Sequence, residues 1–308
     1  MEAGKRQRQK RSSEGGEAVV KIGEQRKTEA RGIEEREDQR PMSSIGLNDP
    51  SVRCEVVEQK TAVPCLVLEN LSKDFGGLRA VDKINLKIEP GERRVLMGPN
   101  GAGKTTLFNL VSGVYPSSAG RILYFEKDVT GLPSYRRAAL GIARTYQITN
   151  LFPNLAVSDN ILMACQALVR TKFVMFRPLS SYHRLMDQCN NLLKEFGLWE
   201  KRNELVKNLS HGDQRQIEVS LALAEKPRLL LLDEPAAGLS SAETHALTLL
   251  LKKLDPSITI LLIEHDMDVA FEFAERITVL YQGKFLAEGT KEEIKNNSTV
   301  QEIYLGSE

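Results

Sequence analysis

Gly98-Pro99-Asn100-Gly101-Ala102-Gly103-Lys104-Thr105 is the stretch that decides the fold. It matches GxxxxGK[ST], a pattern whose glycines let successive backbone N–H groups turn inward toward phosphate oxygens. The context is the one such a loop needs. Residues 94–97 read as a short apolar strand running into it, and Thr106-Leu107-Phe108-Asn109-Leu110-Val111 leaves it with helical spacing. A helix beginning after Gly103 would aim its positive dipole end at the phosphates. Lys104 is expected to reach the β- and γ-phosphates of a nucleotide, and Thr105 to ligate Mg²⁺.

Outward from this loop, strands and helices alternate. Leu66-Val67-Leu68 and Ile84-Asn85-Leu86-Lys87-Ile88 have the period of two expected of strands, and Pro90-Gly91 marks a turn. Further on, a buried strand is predicted over 229–232, a helix over 243–253, a strand over 258–263 and a helix over 266–276. That alternation argues a mostly parallel sheet covered on both faces. Residues from about 150 to 207 lack strand signals, whereas 157–169 and 182–196 carry helical apolar spacing, so this part reads as a helical insert.

Residues 1–62 have a different texture, rich in Lys, Arg, Glu, Gln, Gly and Ser with no apolar period, and are expected to form a disordered basic and polar tail. Its run Lys5-Arg6-Gln7-Arg8-Gln9-Lys10-Arg11 reads as solvated chain, with a localisation signal or lipid-surface patch as the alternative. No apolar segment follows to make a secretory signal, and translation from Met42 would remove most of the basic stretch. Residues 63–308 form the folded domain, with the helical part at about 148–208.

Of the 308 residues, 41% are hydrophobic and 27% charged, as in ordinary globular proteins. The apolar runs are far shorter than the ~20 residues a membrane-crossing helix needs, so at a membrane another subunit must do the crossing. A net charge of +1 supplies no global attraction to nucleic acid, and no nucleic-acid partner is expected. Cys54, Cys65, Cys165 and Cys189 are scattered without a CxxC pair, which favours reduced thiols.

A second chemical element lies at Leu229-Leu230-Leu231-Leu232-Asp233-Glu234, where a buried strand ends in two carboxylates. Strand ends at the carboxyl edge of such a sheet are where ligands bind. Asp233 is expected to hold Mg²⁺, usually through water, and Glu234 to polarise the water that attacks the γ-phosphate. Kinases, GTPases and helicases share this pair with the loop, so a third element must choose among them.

Leu209-Ser210-His211-Gly212-Asp213-Gln214, just upstream of the carboxylate strand, is that element. With it the chain resembles the ABC ATPase superfamily, whose signature is LSGGQ. The resemblance covers residues 66–308. It implies an ABC-type P-loop NTPase of the α/β class, with a RecA-like parallel-sheet core, an antiparallel β subdomain and a helical subdomain. It also implies that Ser210 and Gly212 face the γ-phosphate of ATP bound to a second ABC ATPase subunit, in a homo- or heterodimer. His211 and Asp213 depart from the signature; Asp213 is expected to point away, with Gln214 sharing the polar role. The resemblance further implies that Gln147 senses Mg²⁺ and the attacking water, that His265 contacts the γ-phosphate and that Phe75 stacks on adenine. The nucleotide contacts would run through Gly98, Pro99, Asn100, Gly101, Ala102, Gly103, Lys104, Thr105 and Thr106. Ser240 stands where the superfamily usually has an Asp, which touches communication across the dimer.

Within the superfamily, the stretches 75–81, 140–147 and 233–239 and the C-terminal Val300-Gln301-Glu302-Ile303-Tyr304-Leu305-Gly306 are similar to ATP-binding subunits of branched-chain amino acid importers. Urea or amide importers share much of this, and lipopolysaccharide-export ATPases some. The likeness implies ATP hydrolysis with Mg²⁺ at the cytoplasmic face of the plasma membrane. It also implies integral membrane permease subunits that dock near 147–160, around Phe152-Pro153, and a substrate-binding protein as an indirect partner. A soluble ABC ATPase of translation or DNA repair would carry two cassettes or a long coiled coil, and this chain has one loop and no sustained heptads.

Overall fold

Strands β3 (Arg93–Met97), β7 (Leu229–Asp233) and β8 (Thr259–Ile263) are buried at every position, as the middle strands of a sheet covered on both faces must be. The structure is a computed structural model that describes residues 63–145, 151–167 and 182–305. The tail 1–62 and Gln147 lie outside those residues.

In chain order, β1 (Leu66–Phe75) and β2 (Leu78–Ile88) precede β3, and α1 (Lys104–Val111) follows it. Next come β4 (Ala119–Tyr124), β5 (Lys127–Asp128), α2 (Ser134–Ala139) and β6 (Ile142–Arg144). Helices α3 (Val157–Ala167), α4 (His183–Glu195) and α5 (His211–Ala224) lead to β7. The chain closes with α6 (Ser241–Lys253), β8, α7 (Met267–Phe273), β9 (Arg276–Tyr281), β10 (Lys284–Gly289), α8 (Lys291–Lys295) and α9 (Ser298–Leu305).

The described strands form two sheets. One is antiparallel, in the order β2-β1-β4-β5; the other runs β10-β9-β3-β8-β7-β6 and is parallel except for the β9–β10 hairpin. Side chains alternate across the second sheet. Val95, Met97, Leu230, Leu232, Ile260 and Leu262 face one apolar cluster with α3 to α7. Leu96, Leu229, Leu231, Leu261 and Ile263 face another, shared with Leu107, Phe108, Leu110 and Val111 of α1 and with Leu66, Leu68 and Ile84 of the antiparallel sheet. One strand sequence thus glues two layers, which is why these strands are apolar through their middles, with Arg93, Arg94 and Thr259 standing at their starts.

Between β6 and β7 the described chain is helical. Helix α4 buries Leu185, Cys189, Leu192 and Leu193, a spacing of four, seven and eight residues that makes one apolar stripe, and α3 answers with Val157, Ile161 and Cys165. Two helices differ in extent from their sequence reading. The helix expected over 266–276 stops at Phe273, because Ala274 is extended and Arg276 already pairs in β9. The helix expected over 243–253 begins earlier, at Ser241, because Ser240 caps it by accepting the Glu243 N–H. No helix of the described residues is long and apolar enough to cross a membrane.

Candidate active site

The glycine-rich loop joins β3 to α1 and is seated between the two sheets. A Cβ at Gly98 would lie 2.3 Å from the Leu280 carbonyl oxygen of β9, and one at Gly103 only 2.5 Å from the Ala80 carbonyl oxygen of β2. Gly101, at φ +78°, has nothing within 4 Å on its open side. The loop's back is therefore packed and its front is clear. Lys104 is buried, and its Nζ curls over the loop to donate to the carbonyls of Gly98 at 2.6 Å and Pro99 at 3.2 Å. Burial lowers the Lys104 pKa, while the nearby charges of Glu234 and Asp233 oppose that.

Both of those carboxylates come from the end of β7. Asp233 is fully buried; its Oδ2 accepts from Arg144 Nη2 at 3.0 Å, and its Oδ1 has no hydrogen-bond donor among the described residues. Burial raises the Asp233 pKa, and Arg144 pulls it down. Glu234 sits at φ +47°, a left-handed backbone that a non-glycine residue adopts only when its surroundings hold it there. His265, at the end of β8, brings Nδ1 to 3.9 Å from Glu234 Oε1, with its side chain 60% exposed. Lys104, Asp233, Glu234 and His265 thus meet at the carboxyl edge of β3, β7 and β8.

Phe75 ends β1 with 42% of its surface exposed, in edge-on contact with Tyr115 at 5.5 Å and under Lys73 Nζ at 5.0 Å. The signature segment opens α5, where Ser210 is the cap and Gly212 lies in the first turn. Its polar neighbours bond within their own chain. Asp213 Oδ2 accepts from Ser210 Oγ at 3.0 Å and from Lys201 Nζ at 2.6 Å, because a carboxylate three residues past a serine cap closes back on it. The Gln214 amide donates to the carbonyls of Leu209 at 3.1 Å and Val206 at 3.4 Å. Ser240 caps α6 in the same way, with Glu243 completing a capping box and also accepting the Gly212 N–H at 3.3 Å.

Comparison with known proteins agrees with this geometry. The family model described as "ABC transporter" matches residues 81–237, half of the chain. The high-affinity branched-chain amino acid transport ATP-binding protein LivG of Escherichia coli K12 is 41% identical over 252 residues, covering 79% of this chain and 98% of LivG. The chain belongs to the ABC transporter family. A solved ATP-binding cassette of an ABC transporter in its ADP conformation superposes on this ABC ATPase with a TM-score of 0.69 at 28% identity, covering 79% of this chain and 99% of that one. A dimeric ATP-binding cassette in a post-hydrolysis state bound to ADP and Pi reaches 0.62 at 27% identity, covering 73% and 98%.

Three polar residues of this ABC ATPase that the sequence reading passed over gather at its carboxylates. Arg144 joins Asp233 to α1 and the residue after it, donating from Nη1 to Asn109 Oδ1 at 2.6 Å and Ser112 Oγ at 3.1 Å. Arg215 of α5 donates to the carbonyls of Pro235 at 2.8 Å, Glu234 at 2.8 Å and Asp233 at 3.1 Å. Glu264, 1% exposed, accepts the Ala236 N–H at 3.3 Å, and burial pushes its carboxyl up to about 7. For Glu264 the available signal was a glutamate directly after an apolar strand, where a charge must have a partner.

Proposed function

We propose that this ABC ATPase powers an importer of branched-chain or related amino acids. What carries the reading is its 41% identity with LivG across 98% of that protein, joined to a hydrolytic set at one sheet edge.

ATP is the substrate. In this reading Phe75 stacks on adenine, the loop from Gly98 to Thr105 with Thr106 wraps the phosphates, and Lys104 gives up its loop carbonyls for phosphate oxygens. The residues present fit Mg²⁺: the buried, undonated Oδ1 of Asp233 suits an ordered water on the ion, with Thr105 and Gln147 as its other holders. When bound, Mg²⁺ neutralises charge on the β- and γ-phosphates. Glu234 takes the proton of the attacking water, and His265, beside it, orients the γ-phosphate. Ser210 and Gly212 complete the site of a second subunit.

The helical part presents Phe152, 55% exposed, and Leu155, 37% exposed, just ahead of α3. That surface is where permease subunits dock, placing the chain peripherally at the cytoplasmic face of the membrane. The test is reconstitution in liposomes with permease subunits and a substrate-binding protein of the branched-chain amino acid importer type. ATP turnover should rise when the binding protein is loaded with leucine, isoleucine or valine and not when it is empty. Stimulation by an unrelated solute alone would overturn the amino-acid reading.

A further inference from the structure

The loop after the two carboxylates is gripped from both sides. On one side a single guanidinium, that of Arg215, receives three consecutive carbonyls, those of Asp233, Glu234 and Pro235. On the other, the buried carboxyl of Glu264 takes the next group in the chain, the Ala236 N–H. Three successive peptide groups are thereby fixed, the last of them at both its carbonyl and its N–H, and within them lies the left-handed backbone of Glu234. Arg215 is itself held: its side chain is 12% exposed, and Nη1 is paired with Glu218 one turn along α5. It also stands five residues after Ser210, on the helix that Ser210 caps.

We propose that Arg215 and Glu264 are positioning residues that clamp the Asp233–Ala236 backbone, and that Arg215 makes the signature helix and the Glu234 general base of one subunit a single mechanical unit. This inference rests on the reading of Glu234 as the base. Its physical content is simple. A planar guanidinium with fixed donor directions defines the orientation of the peptides it binds, which a point charge on a flexible stem does not. Movement of α5, when Ser210 and Gly212 engage the other subunit's nucleotide, is passed to the carbonyls on either side of Glu234 without an intervening loop. In the same way Glu264 ties that loop to β8 and to His265, the next residue.

The experiment uses the full chain. Steady-state ATP turnover and equilibrium binding of a fluorescent ATP analogue are measured for wild type, Arg215→Ala, Arg215→Lys, Glu264→Ala and Glu264→Gln. Amide exchange is followed over residues 233–239. Both Arg215 variants should lose about tenfold or more in kcat while keeping nucleotide affinity within about twofold, with faster exchange in the loop. Glu264→Ala should behave likewise, and Glu264→Gln, which keeps an acceptor for Ala236, should restore turnover. Arg215→Lys is the variant to read if Arg215→Ala folds poorly, because it retains the cation and loses only the fork. Wild-type kcat and exchange in Arg215→Lys would overturn the clamp, as would a parallel fall of affinity and kcat. Glu234→Gln, run beside them, reports on the underlying reading: if it hydrolyses ATP normally that reading fails, and if it is inactive while Arg215→Lys is normal only the clamp fails.

Discussion

Arg144 and Asp233, 89 residues apart in sequence, form a buried pair in which Nη2 donates to Oδ2 at 3.0 Å, with both side chains nearly sealed from solvent. The pair leaves Oδ1 of the carboxylate without a donor among the described residues and ties Oδ2 to α1 through Arg144 and Asn109. Breaking such a pair strands a buried charge, so Arg144→Ala should destabilise the fold by about 3–5 kcal/mol. Burial already raises the Asp233 pKa above its unfolded value, and removing the cation raises it further. A carboxyl so raised contributes stability at acid pH and loses it as pH climbs through the folded value. The deficit of Arg144→Ala should therefore be larger near pH 8 than near pH 5, read by urea unfolding at both. Equal deficits would refute the assignment.

Glu264 titrates at about 7 in the fold against an ordinary value of 4.5, because burial disfavours its charge. Between those two values the folded chain keeps a proton that the unfolded chain has released, so the contribution of Glu264 to stability declines as pH rises through that window and is flat above it. Glu264→Gln cannot titrate. Its stability relative to wild type should improve by roughly 2–3 kcal/mol from pH 4.5 to pH 7 and then level off. Thermal or urea unfolding across that range is the check, and an unchanged difference would show that Glu264 is not held protonated.

Lys104 and Glu234 separate binding from chemistry. Lys104→Ala should weaken ATP binding and turnover together. Glu234→Gln should bind ATP with wild-type affinity, lose turnover by about a hundredfold or more, and accumulate as an ATP-bound dimer on size exclusion. A Glu234→Gln variant that stays active, or a Lys104→Ala variant with normal affinity, would remove that residue from its role.

Gly212 is small because of Glu243. A Cβ there would lie 2.6 Å from Glu243 Oε1, and Glu243 is also the acceptor for the Ser240 N–H at 3.0 Å. Gly212→Ala should push that carboxylate aside and forfeit the capping box of α6, a loss of about 1 kcal/mol. In a Glu243→Ala background the same glycine change should then be nearly free. Additive melting-temperature losses in the double variant would disprove the link.

Much of this molecule is legible from its sequence for a physical reason. A strand buried on both faces is mostly apolar, so Leu229–Leu232 and Ile260–Ile263 announce themselves, and a loop that must expose N–H groups to phosphate needs its glycines. Capping also reads locally, and the Ser210 cap takes the nearby Asp213 carboxylate as its partner. Arg144, Arg215 and Glu264 are different. Their partners lie 89, 18–20 and 28 residues away, and no local period encodes which arginine of an amphipathic helix will meet a distant carbonyl. The β9–β10 hairpin was likewise hidden, since its turn at Gln282-Gly283 is specified by its contacts with Ala80, Asp82 and Ala102 as much as by its own residues.

Those last contacts bear on how the protein would feel its nucleotide. The Asp82 N–H of β2 donates to the Gly283 carbonyl, and the Gly283 N–H donates to Ala102 in the glycine loop, whose Gly98 and Gly103 abut β9 and β2. The loop is the rivet through which the antiparallel and parallel sheets are fastened. A phosphate gripped there would load the joint between two layers rather than a surface appendage.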